Sequence, residues 1–152
     1  MYPPTNASRK TVFRAVGAKL FRAVSRAVPG VGVRQDQREL YPLLLLRALL
    51  PLPKQLYTFA IEQNNSVGCS NFEMTGIPGT NYYKDDRLVE FKYFKAKEAE
   101  HMLALNDPRP EDVAQVRAYA KDTKQKFPVY NVRSYIVYIC ANKGWKCWEV
   151  TE

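Results

Sequence analysis

Glu90 and Lys92 stand two residues apart in the segment Val89-Glu90-Phe91-Lys92. On a β-strand that spacing turns both side chains to one face. A carboxylate and an ammonium on one face of an otherwise apolar strand are costly unless they pair or bind something. The ordinary reading of such a pair is a surface salt bridge, which contributes little. Further residues favour a binding site. Asn71 lies on the preceding candidate strand beside Gly68, and Glu73 shares its strand face. Glu62 ends the strand before. Gln115 and Tyr119 are one helical turn apart and share a helix face. Zinc and triad chemistries are disfavoured, because the 3 cysteines form no CxxC motif and His101 is the only histidine. So sparse a cysteine set also points to a reducing, cytoplasmic compartment.

These side chains need a scaffold, and the pattern supplies one. Residues 56–62 (LYTFAIE) are rich in aromatic and β-branched types and read as a strand. Gln63-Asn64-Asn65-Ser66 reads as a turn, 67–74 as a second strand, 76–79 as a loop and Asp85-Asp86 as a turn. Residues 87–94 (RLVEFKYF) make a third, central strand. Helical spacing over 97–105 stops at Asn106-Asp107-Pro108, and Pro110-Glu111-Asp112 opens a second helix with acids in its first turn, where the helix dipole favours them. The apolar run 134–141 (SYIVYICA) predicts a strand buried on both faces, followed by a turn at Asn142-Lys143-Gly144 and an edge strand over 145–150. Cys140 and Cys147 flank that turn and are expected to face each other as small core residues, or as a cross-strand disulfide. The order predicts an α/β fold, one mixed sheet of about five strands flanked by helices.

The net charge of +8 is uneven. Residues 1–35 hold Arg9, Lys10, Arg14, Lys19, Arg22, Arg26 and Arg34 and no acid, which leaves 16 basic against 15 acidic groups elsewhere. Val12, Val16, Leu20 and Val24 recur every four residues, so 10–28 reads as an amphipathic helix ended by Pro29-Gly30. Its stripe could pack on the domain or a neighbour. Lys10, Arg14 and Arg22 could instead contact nucleic acid, or the arm could be a mitochondrial targeting sequence. The leucine-rich run 40–52, broken by Pro42, Arg47 and Pro51, is shorter than the ~20 residues a membrane span needs and reads as a core helix. The expected division is a basic arm over 1–36 and a globular domain over 37–152.

E-x-K at Glu90-Phe91-Lys92, then Q-x-x-x-Y at Gln115 to Tyr119, with a polar residue on the prior strand, resembles the PD-(D/E)XK nuclease superfamily. Within it the chain looks most like the nuclease-like C-terminal domain of bacterial AAA-ATPase-like proteins. The similarity covers 38–150 and also rests on Arg38-Glu39-Leu40-Tyr41, Gly68-Cys69-Ser70-Asn71-Phe72-Glu73, Gly76-Ile77-Pro78-Gly79 and Asn142-Lys143-Gly144-Trp145. It implies a restriction-endonuclease-like core and a Mg²⁺- or Mn²⁺-dependent phosphodiesterase acting on nucleic acid, DNA above all. An AAA-ATPase-like module or a second copy of the chain is the implied protein partner. By this resemblance Glu90 is a metal ligand with the Phe91 carbonyl, and Glu39 helps hold the metal. Lys92 orients or deprotonates the attacking water, or stabilises charge on the phosphorane. Gln115 and Tyr119 position the nucleic-acid backbone. Asn71 stands where the superfamily has its aspartate, and an amide removes one negative charge from the site. Either the domain is a decayed nuclease kept for binding nucleic acid or a protein, or Glu73 has become the substitute ligand.

Overall fold

The computed structural model describes residues 56–65, 68–141 and 143–151, with the backbone alone for 62–65 and 68–71. The basic arm, the leucine-rich run and Glu39 lie outside the described residues, as do Lys10, Arg14 and Arg22.

The chain runs β1 (Tyr57–Asn65), β2 (Gly68–Gly76), β3 (Asp85–Phe94), α1 (Ala96–Ala104), α2 (Pro110–Lys126), β4 (Asn131–Cys140) and β5 (Gly144–Val150). Its five strands form one sheet in the order β1-β2-β3-β4-β5. All neighbours are antiparallel except β3 and β4. A parallel pair needs a long crossover, and the two helices supply it. The α/β class with about five strands, expected from the alternation of patterns, is what the chain adopts.

Both helices pack on one side of the sheet. There Ala99 and Val116 meet Phe94, Ile136, Tyr138 and Cys140, with Met102, Leu103, Val113 and Trp148 closing the cluster. The opposite side gathers Phe72, Met74, Val89, Phe91, Tyr135, Val137 and Ile139. β4 feeds both clusters, so its continuous apolar run has the cause the sequence suggests. Each such side chain contributes roughly 1.5–3 kcal/mol by leaving water.

Two expected turns proved to be strand. Gln63-Asn64-Asn65 continues β1, paired through Asn65↔Gly68. Asp85-Asp86 begins β3 and is buried. The burial is tolerable because Asp85 accepts from Arg87 Nη2 at 2.8 Å, Arg87 Nε at 3.1 Å and Tyr57 Oη at 2.9 Å. Asp86 Oδ1 accepts from Thr75 Oγ1 at 3.1 Å. Both cysteines are core residues as expected, but they do not face each other. Cys147 pairs with Val137 and Cys140 with Gly144, both thiols are free, and they belong to opposite sides of the sheet. The partner of Cys140 is thus three positions short of Cys147, and an odd offset along a strand puts the two on opposite faces.

α2 opens on Pro110, whose missing N–H costs nothing at a helix start. The Asp112 and Val113 amides both donate to the Arg109 carbonyl at 3.1 Å. Its sheet-facing residues include Asp112, Val116, Tyr119 and Thr123, which are buried. That alignment carries Asp112, Gln115 and Tyr119 over the middle of β3 and β4.

Candidate active site

β3 presents Glu90 and Lys92 to the helix side, opposite Ile136 and Tyr138 of β4. Glu90 is 5% exposed. Lys92, with its side chain 22% exposed, places Nζ 3.2 Å from Glu90 Oε1. The pair expected from the two-residue spacing therefore exists, and it is covered by a helix.

Helix α2 completes the cluster. Lys92 Nζ donates to Gln115 Oε1 at 2.7 Å, and Gln115 Nε2 donates to the Tyr119 hydroxyl at 2.7 Å. The amide thus has one acceptor and one donor edge used in sequence, so Glu90, Lys92, Gln115 and Tyr119 form one continuous polar chain. The structure brings together these four sequence-predicted residues.

Asp112 joins them without having been expected. It is 3% exposed, and its Oδ1 lies 3.6 Å from Lys92 Nζ. Arg109 clasps it through Nε at 2.9 Å and Nη2 at 3.2 Å. The Tyr138 hydroxyl donates to Asp112 and accepts from the Arg109 amide at 2.9 Å. Burial alone would push the Asp112 carboxyl up, but the Arg109 and Tyr138 hydrogen bonds and the charges of Lys92 and Arg109 outweigh it, leaving it below the ordinary aspartate range. For Tyr138, burial and then the Asp112 hydrogen bond push the phenol up, so it remains a donor. Asp112 was legible in principle: it precedes Gln115 by three and Tyr119 by seven residues, the spacing of one helix face. Its place in the first turn offered a sufficient dipole explanation and hid it. Tyr138 carried no signal beyond its apolar run.

Asn71 is a backbone position in β2. The register of β2 with β3 ends at Phe72 and Val89, and Asn71 is the next residue of β2 beyond it. Glu73 sits opposite Leu88. Its carboxyl lies near that of Asp86, and burial pushes it up. Asp86 is pushed up to about 7, first by burial and then by the charge of Glu73. Lys126, near the far end of α2 from Asp112, draws Glu73 the other way. Glu73 thus belongs to a second acid pair, with Asp86. Phe91 pairs with Val137 and turns its ring to the other side of the sheet, stacked on Tyr93 at 6.5 Å.

The donors around Lys92 are two carboxylates and an amide oxygen. Among the described residues no group of three or more His, Cys, Asp or Glu gathers. A hard cation such as Mg²⁺ keeps several waters and needs only one or two carboxylates, so this oxygen set fits it, and a zinc-type ion is not suited. No described helix is long and apolar enough to cross a membrane.

A family model described as the PD-(D/E)XK nuclease superfamily matches residues 39–149. No curated protein and no solved structure matches the chain.

Proposed function

Starting from a chain that belongs to the PD-(D/E)XK nuclease superfamily, we propose that the polar cluster under α2 is a metal-dependent phosphodiesterase site acting on DNA, weakened by Asn71. One observation carries the proposal: Glu90, Lys92 and Gln115 meet within hydrogen-bonding and ion-pairing distance at 3.2 and 2.7 Å from one ammonium. An E-x-K pair serving only as a surface salt bridge would not be covered by a helix that adds a glutamine and a tyrosine to it.

Glu90 is the acidic ligand, with the Phe91 carbonyl and Glu39 assisting. Lys92 meets the charge that develops on the phosphoryl oxygens or orients the attacking water. Gln115 and Tyr119 hold the nucleic-acid backbone, and Lys10, Arg14 and Arg22 extend the contact electrostatically. When bound, Mg²⁺ or Mn²⁺ supplies a Lewis acid for the phosphoryl oxygen and a more acidic water. Asn71 offers a neutral amide where an aspartate would add charge beside Glu90, which lowers affinity for a hard cation. The free thiols of Cys140 and Cys147 fit a reducing, cytoplasmic setting.

The test is Mg²⁺ titration and DNA cleavage by the wild type beside Asn71→Asp and Lys92→Ala. The expected result is weak metal-dependent cleavage by the wild type, a gain of about tenfold or more in Asn71→Asp through its extra ligand charge, and none in Lys92→Ala. Salt-dependent DNA binding that a chelator leaves unchanged, with no cleavage by wild type or Asn71→Asp, would instead establish a non-catalytic binding module.

A further inference from the structure

We propose that Asp112 supplies the acidic ligand that Asn71 lacks, so that a divalent cation is held between Glu90 and Asp112 in the space filled by the Lys92 ammonium. This rests on the metal-site reading of the Glu90 cluster and names a residue outside its expected ligand set.

The Lys92 ammonium is a stand-in cation. Three oxygens from two elements converge on it: Gln115 Oε1 at 2.7 Å, Glu90 Oε1 at 3.2 Å and Asp112 Oδ1 at 3.6 Å. Two of them are carboxylate oxygens of residues that are at most 5% exposed. A divalent ion carries twice the charge of the ammonium and attracts each carboxylate about twice as strongly at equal distance. Its oxygen preference matches all three donors.

Asp112 is also held as a ligand should be. Arg109 grips it from outside and Tyr138 from the sheet, so its carboxylate keeps its direction when Lys92 leaves. The Arg109 charge works against a second cation, but Glu111 lies 3.3 Å from Arg109 Nε and offsets part of it. The partly exposed Lys92 chain has a route outward. Exchange of ammonium for metal frees Lys92 to meet a phosphate, so a single event would load the site and release its cationic side chain. Glu73 makes no competing claim, because its carboxyl is engaged with Asp86.

The experiment is Mn²⁺ binding by calorimetry on the full chain, with Tb³⁺ luminescence as a second readout, for wild type, Glu90→Gln, Asp112→Asn, Asp112→Glu and Lys92→Met. Asp112→Asn is expected to weaken Mn²⁺ binding at least tenfold, about the effect of losing one charged ligand. Asp112→Glu keeps the charge but moves the oxygens, and should also weaken binding severalfold. Lys92→Met should tighten binding, because the internal competitor is gone. Thermal melts check that each variant is folded. If Asp112→Asn fails to fold, Asp112→Glu decides. Wild-type affinity in Asp112→Glu, or in a folded Asp112→Asn, with loss in Glu90→Gln, overturns the role of Asp112 and leaves the metal site at Glu90 standing. Absence of binding in the wild type and in Lys92→Met overturns both.

Discussion

Replacing Asp86 by asparagine should make the protein more stable at alkaline pH and leave it nearly unchanged at pH 4. Asp86 is 1% exposed at the start of β3, accepts one hydrogen bond from Thr75, and lies against the carboxyl of Glu73. It titrates at about 7 rather than 3.8, because burial and the neighbouring charge disfavour its ionised form. Its folded-state value lies above the unfolded one, so the folded protein binds the proton more tightly. The stabilisation is complete below about pH 4 and disappears as pH rises through 7. The difference of about 3 pH units corresponds to a ceiling of about 4 kcal/mol. The proton is shared with Glu73 and Lys126 compensates part of the charge, so about half that figure is expected. An asparagine amide can donate to Glu73 and accept from Thr75 at every pH. Urea unfolding should therefore show Asp86→Asn more stable by about 2 kcal/mol at pH 8, a Tm gain on the order of 10 °C for a domain of this size. A wild-type-to-variant difference that stays constant from pH 5 to 8 would refute the shared-proton account of the Glu73–Asp86 pair.

Other consequences are more local. Tyr138→Phe removes the hydroxyl between Asp112 and the Arg109 amide and should cost about 1–3 kcal/mol in chemical denaturation. Gly76→Ala would bring a Cβ to 1.7 Å from the Tyr82 carbonyl oxygen. Backbone cannot rotate away as a side chain can, so a loss above about 3 kcal/mol is expected in the same assay. Gln115→Ala disconnects Lys92 from Tyr119 and should raise KM for DNA more than it lowers kcat, read from initial rates at saturating metal. Deleting residues 1–36 removes Lys10, Arg14 and Arg22 and should flatten the dependence of DNA affinity on salt, measured by fluorescence anisotropy between about 50 and 200 mM.

Much of the site was legible before any coordinates, because its inner relations are local. A spacing of two residues on a strand fixes that Glu90 and Lys92 share a face, and a spacing of four on a helix does the same for Gln115 and Tyr119. The apolar run of β4 announced burial on both sides, and the E-x-K and Q-x-x-x-Y order pointed to the superfamily. Backbone periodicity is a property of neighbouring residues, so it survives in the bare sequence.

What tertiary structure alone decided is which helix turn lies over which strand residue. Lys92 meets Gln115 across 23 positions, and Tyr138 meets Asp112 across 26; those meetings depend on the crossover between β3 and β4. The same packing buried Asp85 and Asp86, which read as a turn because two adjacent acids normally seek water. Partners distant in sequence, Tyr57, Thr75 and Asn131, join the neighbouring Arg87 in pairing with their oxygens. It also drew Glu73 toward Asp86 and set Cys140 and Cys147 on opposite faces. Charge pairing at close range is settled by three-dimensional distance, and a chain's local pattern does not contain that distance.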